Sequence, residues 1–221
     1  MKLLAIETSG AACSATVAAD GKEITSFVPK AGTHSAALFP EIEKALKASE
    51  LTLKDMDALA VSAGPGSFTG IRIGVAACKG LAWGADKPTI GISSLEAAVF
   101  SGDAEGEVCA LIDARHESYY FAVFEGKDGM YERKTADAVL PAGEILPLLG
   151  ETCTLVGEGA ESFAALFPEK KFRLNGTVQS SLGVARAALA SPEGSFIPAR
   201  DLEAVYLRLS QAERNLSQKQ E

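Results

Sequence analysis

One glycine-rich stretch constrains the fold more than any other: residues 62–70 read Ser-Ala-Gly-Pro-Gly-Ser-Phe-Thr-Gly. An apolar run at 57–63, typical of a buried strand, leads into it, and a second apolar run at 70–83 has the composition of a helix. Glycine and proline favour a tight reversal between the two, and Ser67 or Thr69 is expected to cap the helix. Because this helix is apolar on nearly all sides, it must be buried.

Glycines recur inside the predicted helix. Each interior glycine costs about 1 kcal/mol relative to alanine, so Gly74 and Gly80 need a compensating contact. The small residues that recur every four positions form one row: Gly66, Gly70, Gly74 and Cys78. We interpret this row as a groove in which another helix can approach closely.

The chain as a whole divides into two similar series of elements. The first comprises strands at 2–8, 13–19 and 23–28, a helix at 34–49, the unit described above, a strand at 88–92 and a helix from 93. A second, reduced series runs from 108 to 190. Two copies of a βββαβαβα unit are typical of the actin-like ATPase (ASKHA) superfamily, whose two ribonuclease-H-like lobes enclose a nucleotide. We therefore predict an α/β fold with lobes at 1–103 and 104–221, and a tail, 201–211, that docks on the body.

Composition argues against several classes of function. The net charge of −8 leaves no basic face for autonomous binding of nucleic acid. The four cysteines lie in apolar segments and are expected to be buried, reduced thiols, and two histidines are too few for a histidine-based zinc site. The sequence has neither a run of membrane-spanning length nor a signal-peptide pattern, so we expect a cytoplasmic protein with no membrane partner.

Two turns are candidates for nucleotide chemistry. Residues 7–10, Glu-Thr-Ser-Gly, lie where such folds wrap a phosphate, although an ordinary hairpin turn explains them equally well. Asp113, at the equivalent turn of the second lobe, could bind Mg²⁺ or act as a base, but pairing with Arg115 or capping of the turn is the favoured interpretation. Gly157 and Gly159 could face an adenine, but a strand-to-helix turn is the better interpretation.

Several segments together resemble the TsaB (YeaZ) family over the whole chain. They are Ala-Ile-Glu-Thr-Ser at 5–9, Thr-His-Ser at 33–35, Gly-Pro-Gly-Ser-Phe-Thr-Gly at 64–70, Ile-Asp-Ala-Arg at 112–115 and Tyr-Leu-Arg at 206–208. The resemblance implies a non-catalytic partner of TsaD. That transferase moves a threonylcarbamoyl group to N6 of the adenosine beside the anticodon of certain tRNAs. In bacteria the pair also works with the ATPase TsaE.

The sequence departs from TsaD where TsaD binds its metal. TsaD has a His-x-Glu-Gly-His pattern, whereas this chain has Ser94 and Ala98 in place of the two histidines. Ala11 and Ala12 replace acidic residues of the first loop. We therefore expect no metal, no catalytic residue and no required cofactor.

The resemblance also implies that the first two helices of the N-terminal lobe bind TsaD, or a second copy of the chain when TsaD is absent, with tRNA reached only through the complex. The expected interface residues are His34, Leu38, Ile42, Ala45, Leu46, Gly70, Ile73, Gly74, Ala77 and Cys78. A vestigial nucleotide site, binding adenine nucleotides weakly, is assigned to Glu7, Thr8, Ser9, Asp113, Gly157 and Gly159. The alternative is a small ATPase or kinase that uses Glu7, Thr8 and Asp113.

Overall fold

Two β-sheets carry the fold in the computed structural model, which describes residues 1–28, 33–192 and 194–208. The strands of the first sheet are β1 (Leu3–Glu7), β2 (Cys13–Ala19), β3 (Lys22–Val28), β4 (Ala58–Gly64) and β5 (Thr89–Ser93). Their spatial order is β3-β2-β1-β4-β5. The hairpin strands β2 and β3 are antiparallel to their neighbours, whereas β1, β4 and β5 run parallel.

The second sheet repeats this plan. Its strands are β6 (Gly106–Asp113), β7 (Ser118–Lys127), β8 (Met130–Arg133), β9 (Ala138–Pro141), β10 (Thr154–Val156) and β11 (Arg173–Leu174). The order is β11-β10-β6-β7-β8, with β9 also pairing with β7. Each sheet thus has an antiparallel hairpin on one side of its first strand and two parallel strands on the other, which confirms the predicted two-sheet α/β fold.

Helices cover both faces of each sheet. They are α1 (His34–Ala48), α2 (Phe68–Ala85), α3 (Ser94–Phe100), α4 (Ala142–Ile145), α5 (Ala160–Ala165) and α6 (Ser181–Ala190). One apolar core lies between the first sheet and α1 and α2, and another between the second sheet and α4 and α5. The third core, which contains α3 and α6, joins the two sheets. The lobe boundary at 103/104 stays a prediction, because these two helices form a middle layer that both sheets share.

The C-terminal segment contacts the first lobe at Ile197, which precedes the predicted tail, and at Val205, which lies within it. Thr89 and Ile197 exchange backbone hydrogen bonds of 2.8 Å, and the Val205 N–H donates to the carbonyl oxygen of Ala63 at 2.8 Å. Beyond these, Arg208 reaches the second lobe and donates to the Ala114 carbonyl oxygen at 2.6 Å. The remainder of the predicted tail, from 209 onward, lies outside the described residues.

The helices are short or only partly apolar. Across residues 1–28, 33–192 and 194–208, none is long and apolar enough to cross a membrane.

The longest of the described helices, α2, begins at Phe68, two residues before the predicted start at Gly70. Ser67 caps it by accepting a hydrogen bond from the Gly70 N–H at 3.2 Å.

The glycine row of α2 contacts the chain's own first strand, so its interpretation as a groove for another helix is wrong. A Cβ at Gly70 would lie 2.0 Å from the Thr8 carbonyl oxygen, and one at Gly74 would lie 2.3 Å from Thr8 Oγ1. A Cβ at Gly66 would lie 2.7 Å from the Ser9 carbonyl oxygen. Because these three glycines have no side chain, α2 can approach the end of β1 closely. The packing gained in this way offsets the low helix propensity of the glycines within α2.

We predict opposite effects for two glycine-to-alanine substitutions in α2. Gly74→Ala forces a methyl group against Thr8 and should destabilise the chain by about 1–3 kcal/mol, as overpacking does elsewhere. Gly80→Ala should stabilise it by roughly 0.5–1 kcal/mol, because among the described residues the new Cβ would meet nothing within 4 Å apart from the neighbouring backbone of its own helix. Urea unfolding of both variants measures the difference. Equal effects of the two substitutions would contradict the proposed role of the close contact.

Candidate functional site

A cleft of about 890 Å³ lies between the two lobes. Its walls come from the turn after β1 (9–11), the start of α2, the end of β6 and the docked tail. This is the place where the fold superfamily was expected to hold a nucleotide. Ser9 and Asp113 line the cleft, whereas the other residues of the predicted nucleotide site do not.

The polar groups of the 9–11 turn are bonded to partners within the chain. The Ser9 N–H donates to Glu7 Oε1, and the Ala11 N–H donates to Glu158 Oε1 at 2.9 Å. The Gly10 carbonyl oxygen lies 2.9 Å from His34 Nε2, which ties the start of α1 to the turn. Two of the backbone donors that could have cradled a phosphate are therefore bonded to carboxylates of the same chain.

Thr8 is a packing residue. Its side chain is fully buried, and its Oγ1 donates to the Gly70 carbonyl oxygen at 2.8 Å. Together with the close approach of Gly74, this bond fastens the first turn of α2 to the end of β1. The Thr8 side chain is therefore bonded below the cleft floor and does not line the cleft.

Glu7 is fully buried beside the same turn. Burial is the main cause that raises the pKa of this carboxyl above its ordinary value, and the nearby charge of Glu158 raises it further. Its Oε2 has no hydrogen-bond partner among the described residues. A row of hydroxyls continues inward from it, since Ser62 Oγ lies 3.4 Å from Ser9 Oγ and 2.6 Å from Ser94 Oγ.

The second-lobe candidates form a structural turn. A Cβ at Gly157 would lie 2.3 Å from the Leu111 carbonyl oxygen, and the Gly159 N–H donates to that same oxygen at 2.9 Å. Asp113 is exposed and accepts a hydrogen bond from the Arg115 N–H at 2.6 Å, as a turn cap does. These contacts support the strand-to-helix turn and the capping role over contacts with an adenine or Mg²⁺.

Sequence reasoning missed Glu158, which is the residue that connects the two lobes at the cleft floor. Its neighbours on both sides are glycines that pack on β6, so the Glu158 side chain is the one that this turn sends into the cleft. The one feature of the sequence that could have indicated a role for Glu158 is its position as an acidic residue between two glycines in a turn. Its partner at Ala11 is 147 residues away in sequence, so no local pattern indicated the contact.

The predicted interface residues divide into two groups. Most are buried in the core beneath α1 and α2, which corrects their assignment to a partner surface: Leu38, Ile42, Ala45, Gly70, Gly74 and Cys78. The others are half-buried: His34, Leu46, Ile73 and Ala77. The apolar stripe of α1 and the glycine row of α2 both face the first sheet, because that sheet is the nearest apolar surface available to them.

The metal-ligand positions of the TsaD pattern are also in the core. Ser94 is fully buried, with its hydroxyl bonded to Ser62, and Ala98 is fully buried in the core between the two sheets. Within the part of the chain that the structure describes, no three His, Cys, Asp or Glu side chains are grouped so that they could hold a metal ion.

Comparisons with known proteins agree on one family. The family model for TsaD, tRNA N6-adenosine threonylcarbamoyltransferase, matches residues 25–189. The tRNA threonylcarbamoyladenosine biosynthesis protein TsaB of Escherichia coli (strain K12) is 34% identical and covers 100% of both chains. The protein of the same name from Bacillus subtilis (strain 168) is 30% identical over 68% of this chain and 67% of its own length. The solved structure of YeaZ from Pseudomonas aeruginosa superposes with a TM-score of 0.83 at 25% identity, covering 93% of this chain and 99% of that one.

The buried Glu7 leads to a pH-dependent prediction. Because its pKa is raised in the folded state, the folded chain holds a proton that the unfolded chain releases, so stability falls as the pH rises above the ordinary value of 4.5. Glu7→Gln should therefore raise the melting temperature at about pH 8 by roughly 2–4 °C, the equivalent of about 1 kcal/mol in a chain of this size. Thermal unfolding at about pH 4 and pH 8 measures this.

The control for this experiment is Glu43→Gln, which removes an exposed carboxylate of α1. The melting temperatures of the control and the unsubstituted chain should change in parallel with pH. A Glu7→Gln variant that is equally stabilised at both pH values would contradict the assignment of a raised pKa to Glu7.

Proposed function

Because the chain belongs to the TsaB (YeaZ) family of tRNA threonylcarbamoyladenosine biosynthesis proteins, we propose that it is a non-catalytic subunit that binds and activates a TsaD-type transferase. Its place in the synthesis of this modified nucleoside follows from the family. The proposal adds a heterodimer with TsaD, cooperation with the ATPase TsaE in a larger complex, and contact with tRNA only through that complex. This subunit requires no cofactor and acts in the cytoplasm, where the transferase modifies tRNA.

The positions that correspond to the transferase's metal ligands support a non-catalytic role. Ser94 and Ala98 replace the two histidines, and both side chains are enclosed in the core, where neither could reach a substrate. The acidic and hydroxyl side chains of the first turn are also engaged: Glu7 with Ser9, and Thr8 with Gly70. These contacts argue against the alternative of a small ATPase or kinase built on Glu7, Thr8 and Asp113.

The outward side of α2 is the observation that carries the partner proposal. Ala76, Gly80 and Trp83 are exposed there, and Trp83 is 69% exposed. Ile73 and Ala77 lie half-buried beside them. We name these five residues the outer α2 face. Small residues followed by an exposed tryptophan suit close approach of a partner helix and burial of a large aromatic ring.

Helix α1, which contacts α2, also carries an exposed aromatic residue. Phe39 is 48% exposed, and Glu43, Lys44 and Lys47, further along the same helix, are exposed and carry charges of both signs. An apolar centre with a charged rim is the usual arrangement of a protein interface. We propose that the same surface pairs two copies of the chain when TsaD is absent, so that self-association and TsaD binding compete.

The direct test places a charge at the centre of the outer α2 face. Ala76→Arg should leave the chain folded, because the site is exposed and arginine is a good helix former. It should weaken binding to TsaD at least about tenfold, since the interface would enclose an unpaired charge. Co-purification and calorimetry measure binding, and tRNA modification by reconstituted TsaD, TsaE and the adenylate-forming enzyme measures activation.

The matched control is Ala165→Arg, an exposed position at the end of α5 on the second lobe. It should bind and activate like the unsubstituted chain. A folded Ala76→Arg chain with undiminished activation would contradict the proposed surface. ATP turnover by the isolated chain that is lost in Asp113→Ala would instead favour the alternative function.

A further inference from the structure

Glu158 crosses the cleft and lies against the 9–11 turn of the other lobe. Its Oε1 accepts the Ala11 N–H at 2.9 Å, and a Cβ built on Gly10 would lie 2.4 Å from that oxygen and 3.0 Å from the Glu158 Cδ. The carboxylate is therefore packed directly on the bare Cα of Gly10. A side chain at this position would require the Glu158 carboxylate to move.

The place that Glu158 fills has the features of an oxyanion site. Backbone N–H groups of a turn, approached over a glycine, are a common way for proteins to hold a phosphate or carboxylate oxygen. Here the bound oxyanion is supplied by the chain itself. The Ser9 N–H is likewise bonded to the carboxyl group of Glu7, so neither donor is available to an external anion.

A buried amide beside Glu158 is an independent observation that points to a polar occupant. Gln179 is 2% exposed, yet its Oε1 and Nε2 have no hydrogen-bond partner among the residues that the structure describes. A Cβ on Gly10 would also lie 2.7 Å from the Gln179 Nε2 atom, so the amide points at the turn that Glu158 contacts. A buried amide without partners is costly, and an oxyanion oxygen would accept its N–H.

The charges that line the cleft suit an anion once Glu158 is set aside. Arg72, Arg115 and Arg208 contribute to the lining, and Asp113 is the other acidic residue among the lining residues that the structure describes. Arg72 is held in place by a 3.0 Å hydrogen bond to the Tyr206 hydroxyl and stacks over Phe68. The surroundings are thus cationic, whereas the Ala11 N–H is bonded to a carboxylate.

We propose that Glu158 is a specificity-determining residue: its carboxylate occupies an oxyanion site formed by the Ala11 N–H over Gly10, next to the unpartnered amide of Gln179, and thereby keeps phosphate groups out of the cleft. The ligand class that it excludes is a phosphate oxyanion, either inorganic phosphate or the terminal phosphate of a nucleotide. The inference concerns the cleft and not the outer α2 face, so it does not depend on the proposed partner.

The test is phosphate binding by Glu158→Ala and Glu158→Gln, measured by calorimetry with inorganic phosphate and, separately, with ATP and Mg²⁺. Glu158→Ala should bind inorganic phosphate at least about tenfold more tightly than the unsubstituted chain, and Glu158→Gln by a smaller factor, because it loses the charge but keeps the side chain. Glu161→Ala, which removes an exposed carboxylate of α5, should not change binding.

A second substitution locates the bound anion. In Glu158→Ala with Gly10→Ala, the new methyl group would lie 2.4 Å from the position that Oε1 had occupied, so phosphate binding should be lost again. Binding of phosphate, with or without tighter binding of ATP, supports the proposal. It is overturned if the unsubstituted chain binds phosphate as tightly as the variants, if ATP binds without phosphate, or if binding survives Gly10→Ala. Should Glu158→Ala fail to fold, a Glu158→Gln chain that binds no better than the unsubstituted one also overturns it.

Discussion

The contact between Thr8 and the glycines of α2 is the constraint on which the other features depend. With Gly70 and Gly74 against it, the helix lies lower on the first sheet than a helix with side chains there could. The same approach brings the Ser67 N–H to the Ser9 carbonyl oxygen at 2.8 Å, which fixes the turn at the cleft floor. Because α2 buries its glycine row inward, its small and aromatic outer residues are left facing solvent. One packing contact therefore shapes both the cleft and the proposed partner surface.

Several polar side chains are buried near this contact and in the middle layer, and most of them bond to one another. Ser62 and Ser94 are bonded to each other, and Thr16 Oγ1 lies 2.8 Å from Ser181 Oγ of the middle layer. The Ser14 hydroxyl accepts the Ser181 N–H at 3.0 Å. Buried groups that are paired in this way fix the relative position of two elements, whereas reactive groups need access to a substrate. The paired hydroxyls therefore hold neighbouring elements together, which is consistent with the proposed non-catalytic role.

Much of the fold could be predicted from the sequence, because it is recorded in local patterns. The order of strands and helices, the Ser67 cap and the two similar series all follow from periodicity and turn chemistry. The strand β9 is harder to predict, since its four residues end in Pro141, and proline is common at the start of a helix and rare inside a strand. The site was predicted less well. The first-lobe turn was found, but Glu158 was not, because its contact with Ala11 joins the two lobes over a long stretch of chain.

The sequence by itself determined which elements form, which of their faces are apolar, and which family the chain resembles. Only the tertiary structure decided what each face meets. A row of small residues indicates close approach without naming the neighbour, so Gly70 and Gly74 were assigned to a partner although they pack on Thr8. Likewise, the sequence around Glu158 does not indicate that its carboxylate accepts a hydrogen bond from the Ala11 N–H of the other lobe. The physical reason is that periodicity is a property of one segment, whereas burial and pairing arise only when distant segments come together.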